Sequence, residues 1–103
     1  MFYKLLNISK HSITRTILNE DINGVNLNET RQYLAVLRSL TQKIISDSSL
    51  TLSKSVSAIL KEFLDLNTLL IQSIIGFLIV PKNSSALMDR FKDFIDFLNK
   101  FKF

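Results

Sequence analysis

Between Ser49 and Pro81 apolar side chains recur every three or four positions: Leu52, Val56, Ile59, Leu60, Phe63, Leu64, Leu66, Leu70, Ile71, Ile74, Ile75 and Leu78. That interval is the period of a helix and not of a strand. Leu69, Phe77, Ile79 and Val80 make the second half apolar on nearly every side. A helix of that kind has to be covered by neighbours or by lipid. The uncharged run, Leu66 to Val80, is 15 residues long and contains Asn67, Thr68, Gln72, Ser73 and Gly76. A membrane span needs about 20 predominantly apolar residues, so the run fits a buried core helix or a membrane-surface segment better. Any fold for this chain has to be built round it.

The remaining composition favours a few long helices. Gly24 and Gly76 are the only glycines and Pro81 the only proline, whereas a β-rich domain uses many turns that carry these residues. The 103 residues amount to one domain, 1–103, long enough for a core without a metal or a disulfide. The absence of cysteine removes disulfide frameworks, thiolate zinc sites and cysteine nucleophiles. The opening MFYKLLNISKHS has a short apolar part followed by Lys10 and His11 and no small-residue cleavage site. It does not read as a secretory signal, and a cytoplasmic chain is expected. A net charge of +4 permits attraction to anionic lipid or nucleic acid without requiring either.

In chain order, the first helix is expected near residues 9–20, with a start anywhere from Phe2 to Ser12. Leu6, Ile13 and Ile17 share one stripe, and Ser9 or Ser12 is a candidate N-cap. Thr14 and Thr16 lower the helix propensity. Asn23-Gly24 signals a turn, with Ile22, Val25 and Leu27 plugging the end of a core. The second helix is expected near 28–46, with Asn26 and Glu29 at capping-box spacing. Its stripe is Tyr33, Leu34, Leu37, Leu40, Ile44 and Ile45.

The third helix is expected near 52–80, capped by Thr51 or Ser53. It is either continuous or broken near Asp65–Thr68, with Asn67 capping the second piece. A break would cure a mismatch, because this helix outruns a second helix of only about 27 Å. Pro81 disfavours helix at Val80. Ser84 or Ser85 then caps a last helix near 85–101, with the stripe Leu87, Phe91, Phe94, Ile95, Leu98 and Phe101. The predicted fold is an all-α antiparallel four-helix bundle. Its predicted core is Ile13, Ile17, Leu34, Leu37, Ile44, Ile59, Phe63, Leu70, Ile74, Phe91, Phe94 and Leu98.

Chemistry is sparse in this sequence. The single histidine, His11, reads as a surface residue, since general-base work needs an oriented partner. No Ser-His-Asp set assembles, no glycine-rich phosphate loop exists, and the carboxylates are scattered. No enzyme, no cofactor and no metal are expected. Nucleic acid is an unlikely partner, because Arg31, Arg38 and Lys43 are diluted by neutral residues. The tail is more suggestive. Five of the 8 phenylalanines lie after residue 90. Phe97 lies off the main stripe, and Phe101 and Phe103 alternate with Lys100 and Lys102. Rings beside ammonium groups suit a membrane surface or a docking site; a terminus folded back on the bundle is the alternative. Phe97, Lys100, Phe101, Lys102 and Phe103 are therefore the candidate partner-binding residues. If they serve docking alone, deleting residues 100–103 should leave stability nearly unchanged.

Taken together, this plan resembles the immunity proteins of class IIa bacteriocins, the enterocin A immunity type. The likeness lies in length, basic charge, a bundle of about four antiparallel helices and a last amphipathic helix before a short tail; it covers the whole chain and carries no single motif. The resemblance implies a non-catalytic cytosolic protein, peripheral to the inner face of the membrane, that protects a producer cell from its own pore-forming peptide. It implies action at the receptor–bacteriocin complex of the mannose phosphotransferase permease, with selectivity towards the C-terminal half, here Asp89 to Phe103. The alternative reading is a small helical regulatory or adaptor protein, including a nucleic-acid-binding one.

Overall fold

Helix is the only regular structure among the described residues. The structure, a computed structural model, describes residues 1–19, 22, 24–48, 50–82 and 84–101. Four helices follow in order: α1 (Phe2–Asn19), α2 (Gly24–Asp47), α3 (Lys54–Ile79) and α4 (Ser84–Lys100). They form a ring in which α1 packs on α2 and α4, and α3 packs on α2 and α4. Paired side chains fix the antiparallel sense. Ser12 meets Thr30 and Thr16 meets Asn26 across α1 and α2, Arg38 meets Thr68 across α2 and α3, and Phe63 meets Phe94 across α3 and α4. This is the expected all-α antiparallel four-helix bundle.

Local chemistry explains the boundaries of α3. Ser53 stands before it with extended backbone (φ −65°, ψ 158°), and its hydroxyl accepts from the Val56 N–H at 3.3 Å, satisfying one of the orphan donors of the first turn. At the other end Val80 leaves the helical region (φ −132°, ψ 89°), because the ring of Pro81 crowds the helical conformation of the residue before it. Between these stops the helix is continuous. Asn67 is not a second cap but a wholly buried core residue. The mismatch that a break would have cured does not exist. With 24 residues, α2 is about 36 Å long, close to the roughly 39 Å of α3.

α1 begins at the earliest start the sequence allowed, and α2 begins earlier than expected. With α1 starting at Phe2, Ser9 and Ser12 are interior residues and not caps. α2 starts at Gly24, so Asn26 lies inside its first turn and is buried, and it does not act as the cap of a capping box. The physical reason is a polar seam between the two helices. Thr16 donates to the Ser12 carbonyl at 2.9 Å and accepts from the Asn26 amide at 2.6 Å. Thr30 donates to the Asn26 carbonyl at 2.9 Å; since that uses its only proton, Ser12 is the donor in the 2.6 Å contact between the two hydroxyls. Arg15 closes the network by donating to the Asn26 side-chain oxygen, Oδ1, at 3.2 Å. Burial of these satisfied groups outweighs the weak helix propensity of Ser, Thr and Asn.

The core gathers around Phe63. Its ring lies 5.7 Å from Phe94, 6.2 Å from Phe97 and 6.1 Å from Phe2, so one side chain ties α3 to α4 and to α1. Of the predicted core, Ile13, Leu34, Leu37, Phe63, Leu70, Ile74, Phe91, Phe94 and Leu98 are buried, while Ile17, Ile44 and Ile59 are half-buried. Leu27 and Ile22 do plug the end of the core, whereas Val25 points to solvent.

Candidate functional site

An up-and-down ring of four helices places the start of α1, the α2–α3 connection and the end of α4 at one end of the bundle. Of the predicted docking residues, Phe97, Lys100 and Phe101 lie there, and the structure separates them. Phe97 is only 8% exposed: its ring stacks on Phe63 and lies 4.8 Å from Phe101. This corrects the expectation of a ring presented to a partner. A helix in a ring of four touches two neighbours, so its buried arc is wider than a single stripe, and Phe97 falls within it. Phe101 is half-buried against Phe97, and its N–H reaches the Phe97 carbonyl at 3.3 Å. Lys100 is exposed, with its ammonium 5.3 Å from the centroid of the Phe101 ring, a cation–π distance. It also stands in the last turn of α4, where a cation suits the helix dipole. Lys102 and Phe103 lie outside the described residues.

Residues remote in sequence complete this end. Met1 is 85% and Tyr3 70% exposed, and Leu50 in the α2–α3 connection is 99% exposed. Tyr3 sits edge-on to Phe2 at 5.5 Å, which joins it to the Phe63–Phe97–Phe101 ring series. Lys4 on α1 and Lys54 at the start of α3 are exposed as well. This end of the bundle thus exposes apolar and aromatic side chains as well as ammonium groups, a combination that suits the headgroup layer of a membrane or an acidic, partly apolar protein surface. Tyr3, Lys4 and Leu50 could have been found from the sequence only by carrying the predicted up-and-down topology through to what each end collects.

Because Phe101 packs on the core edge, the tail is partly structural. Deleting residues 100–103 is expected to lower stability by about 1 kcal/mol, the worth of half-burying one large apolar side chain. Urea denaturation checks this; an unchanged midpoint would return Phe101 to a purely external role.

Elsewhere, a groove of about 430 Å³ between α1 and α2 is lined by Ile8, His11, Ser12, Arg15, Glu29 and Tyr33. The Tyr33 hydroxyl donates to the Glu29 carboxylate at 2.6 Å, and this bond holds the phenol above its ordinary pKa. His11 is exposed at this groove. Among the described residues no three His, Cys, Asp or Glu side chains gather as a metal site would require. By length and composition α3 could cross a membrane, and only 22% of its most apolar 18-residue window is buried in the bundle. Comparisons of the chain with protein-family models, with curated proteins and with solved structures find no match.

Proposed function

We propose that this protein is a non-catalytic binding protein that confers immunity to a pore-forming bacteriocin, docking from the cytoplasmic side on a membrane-embedded receptor and the lipid around it. One observation carries the reading: Tyr3, Lys4, Leu50, Lys54 and Lys100 are exposed and Phe101 half-exposed, all on the segments that the up-and-down topology brings to one end of the bundle. The resemblance in plan to the enterocin A immunity type supports it, and the bundle agrees with the fold that this resemblance implies. In this reading the aromatic rings enter the interfacial layer and the ammonium groups meet lipid phosphates or receptor carboxylates.

The test is expression in a bacteriocin-sensitive strain followed by challenge with a panel of class IIa peptides. Survival against at least one peptide is expected, and unchanged killing by every peptide overturns the immunity reading. The docking end is tested separately with Lys4→Gln/Lys100→Gln. Each cation at an anionic surface is worth about 1 kcal/mol, so the double variant should bind anionic vesicles about 30-fold more weakly. Its stability should fall by no more than about 1 kcal/mol, since both side chains are exposed and only Lys100 gives up a helix-dipole and ring contact. Undiminished vesicle binding places the docking surface elsewhere.

A further inference from the structure

Charge is distributed unevenly along the outer side of α3. Its first half exposes Lys54, Lys61, Glu62 and Asp65, as a solvated helix face normally does. Its second half exposes Leu69, Gln72, Gly76 and Ile79, at spacings of three and four that align them as one ridge. A Cβ built on Gly76 would meet nothing within 4 Å, so the ridge dips there and admits a close neighbour. Grooves flank the ridge on both sides. One of about 350 Å³ lies against α2, lined by Ala35, Arg38 and Ile71 among others. The other, of about 320 Å³, lies against α4 and is lined by Phe77, Leu87 and Arg90 among others.

We propose that this face is the interface for a second copy of the chain, joined by a two-fold axis with the two α3 helices antiparallel. A ridge between two grooves is self-complementary in shape, as an isologous contact requires: each ridge lies in a groove of the other copy. The charges agree with this occupant. The net charge of +4 makes copies repel on most approaches, but the ridge itself carries none. Asp65 continues the ridge at its N-terminal end, and Lys82 stands exposed just past its C-terminal end. An antiparallel two-fold level with Ser73 and Ile74 sets Asp65 of each copy opposite Lys82 of the other, so the attractive pair forms twice. The contact spans about 25 Å of helix, which at a helix width of about 10 Å covers about 250 Å² per partner, less than the roughly 800 Å² per partner of a stable dimer. The association is therefore weak, with a dissociation constant of tens to hundreds of micromolar.

Analytical ultracentrifugation of the full chain from about 10 to 500 µM, a range that brackets this weak affinity, tests the proposal. The wild type should pass from monomer to dimer. Asp65→Lys turns both attractive pairs into repulsive ones and should weaken association at least about 10-fold. The charge swap Asp65→Lys/Lys82→Asp should restore it to within about 3-fold of wild type. Ile79→Lys should abolish it. Circular dichroism confirms that each variant is folded, which the exposure of all three positions favours. A wild type that stays monomeric throughout, or a swap that fails to restore association, overturns the proposal. So does a monomer that binds neutral phosphatidylcholine vesicles through Ile79, since the ridge would then face lipid.

Discussion

Truncating Phe63 to alanine is expected to cost about 3–5 kcal/mol of folding stability, the range seen when a large buried aromatic side chain leaves a cavity. The ring has no exposed surface, and its neighbours Phe2, Phe94 and Phe97 belong to two other helices. None of these can follow the vacated volume without dragging its own helix, so little of the cavity can collapse. A domain of this size has about 5–15 kcal/mol in total, so the variant should be largely unfolded at modest urea concentrations. Leu50→Ala serves as the matched control: its side chain is almost wholly in solvent and its loss should change stability by less than about 0.5 kcal/mol. A Phe63→Ala loss under about 1 kcal/mol would place the residue outside the core.

Replacing Asn67 by leucine is expected to act in the opposite direction. Asn67 is wholly buried in the middle of α3, and neither its amide nitrogen nor its amide oxygen has a hydrogen-bond partner; the buried Ser9 hydroxyl on α1 is likewise unpartnered. An unsatisfied buried amide costs about 1–3 kcal/mol. Leucine has the same number and branching of side-chain heavy atoms, so it removes that cost with little change of shape. A gain of about 1–3 kcal/mol should follow, which for a domain of this length raises the melting temperature by about 4–8 °C for each kcal/mol. A destabilised variant would show that the amide is satisfied in solution, for instance by a water held between Asn67 and Ser9. The double variant Ser9→Ala/Asn67→Leu separates the cases, because two independent orphans add, whereas two groups sharing a partner do not.

Local chemistry decided what the sequence determined by itself. The period of three and four from Leu52 to Leu78 defined the long helix, Ser53 began it through one hydrogen bond, and Pro81 ended it through a clash with its own neighbour. The stripe of α4 and most of the core followed from the same periodicity, since apolar residues at helical spacing can only be satisfied on a shared inner face. What the tertiary structure decided depends on groups far apart in the chain. The length of α1 and α2 was hidden because their contact face is built from Ser12, Thr16, Asn26 and Thr30, residues that read as caps or turns until their partners are known. Phe97 looked free because one helix alone shows only its own stripe, and its cover comes from Phe63 on α3. Asn67 could be read as a cap or as an interior residue because nothing local says that neighbouring helices bury it completely. The docking end was only half legible: Lys100 and Phe101 stood out as a chain-end pattern, but Tyr3, Lys4 and Leu50 join them solely through the antiparallel ring. Periodicity and caps act within a turn or two of the residue that causes them, whereas burial is set by whichever distant element closes over that residue.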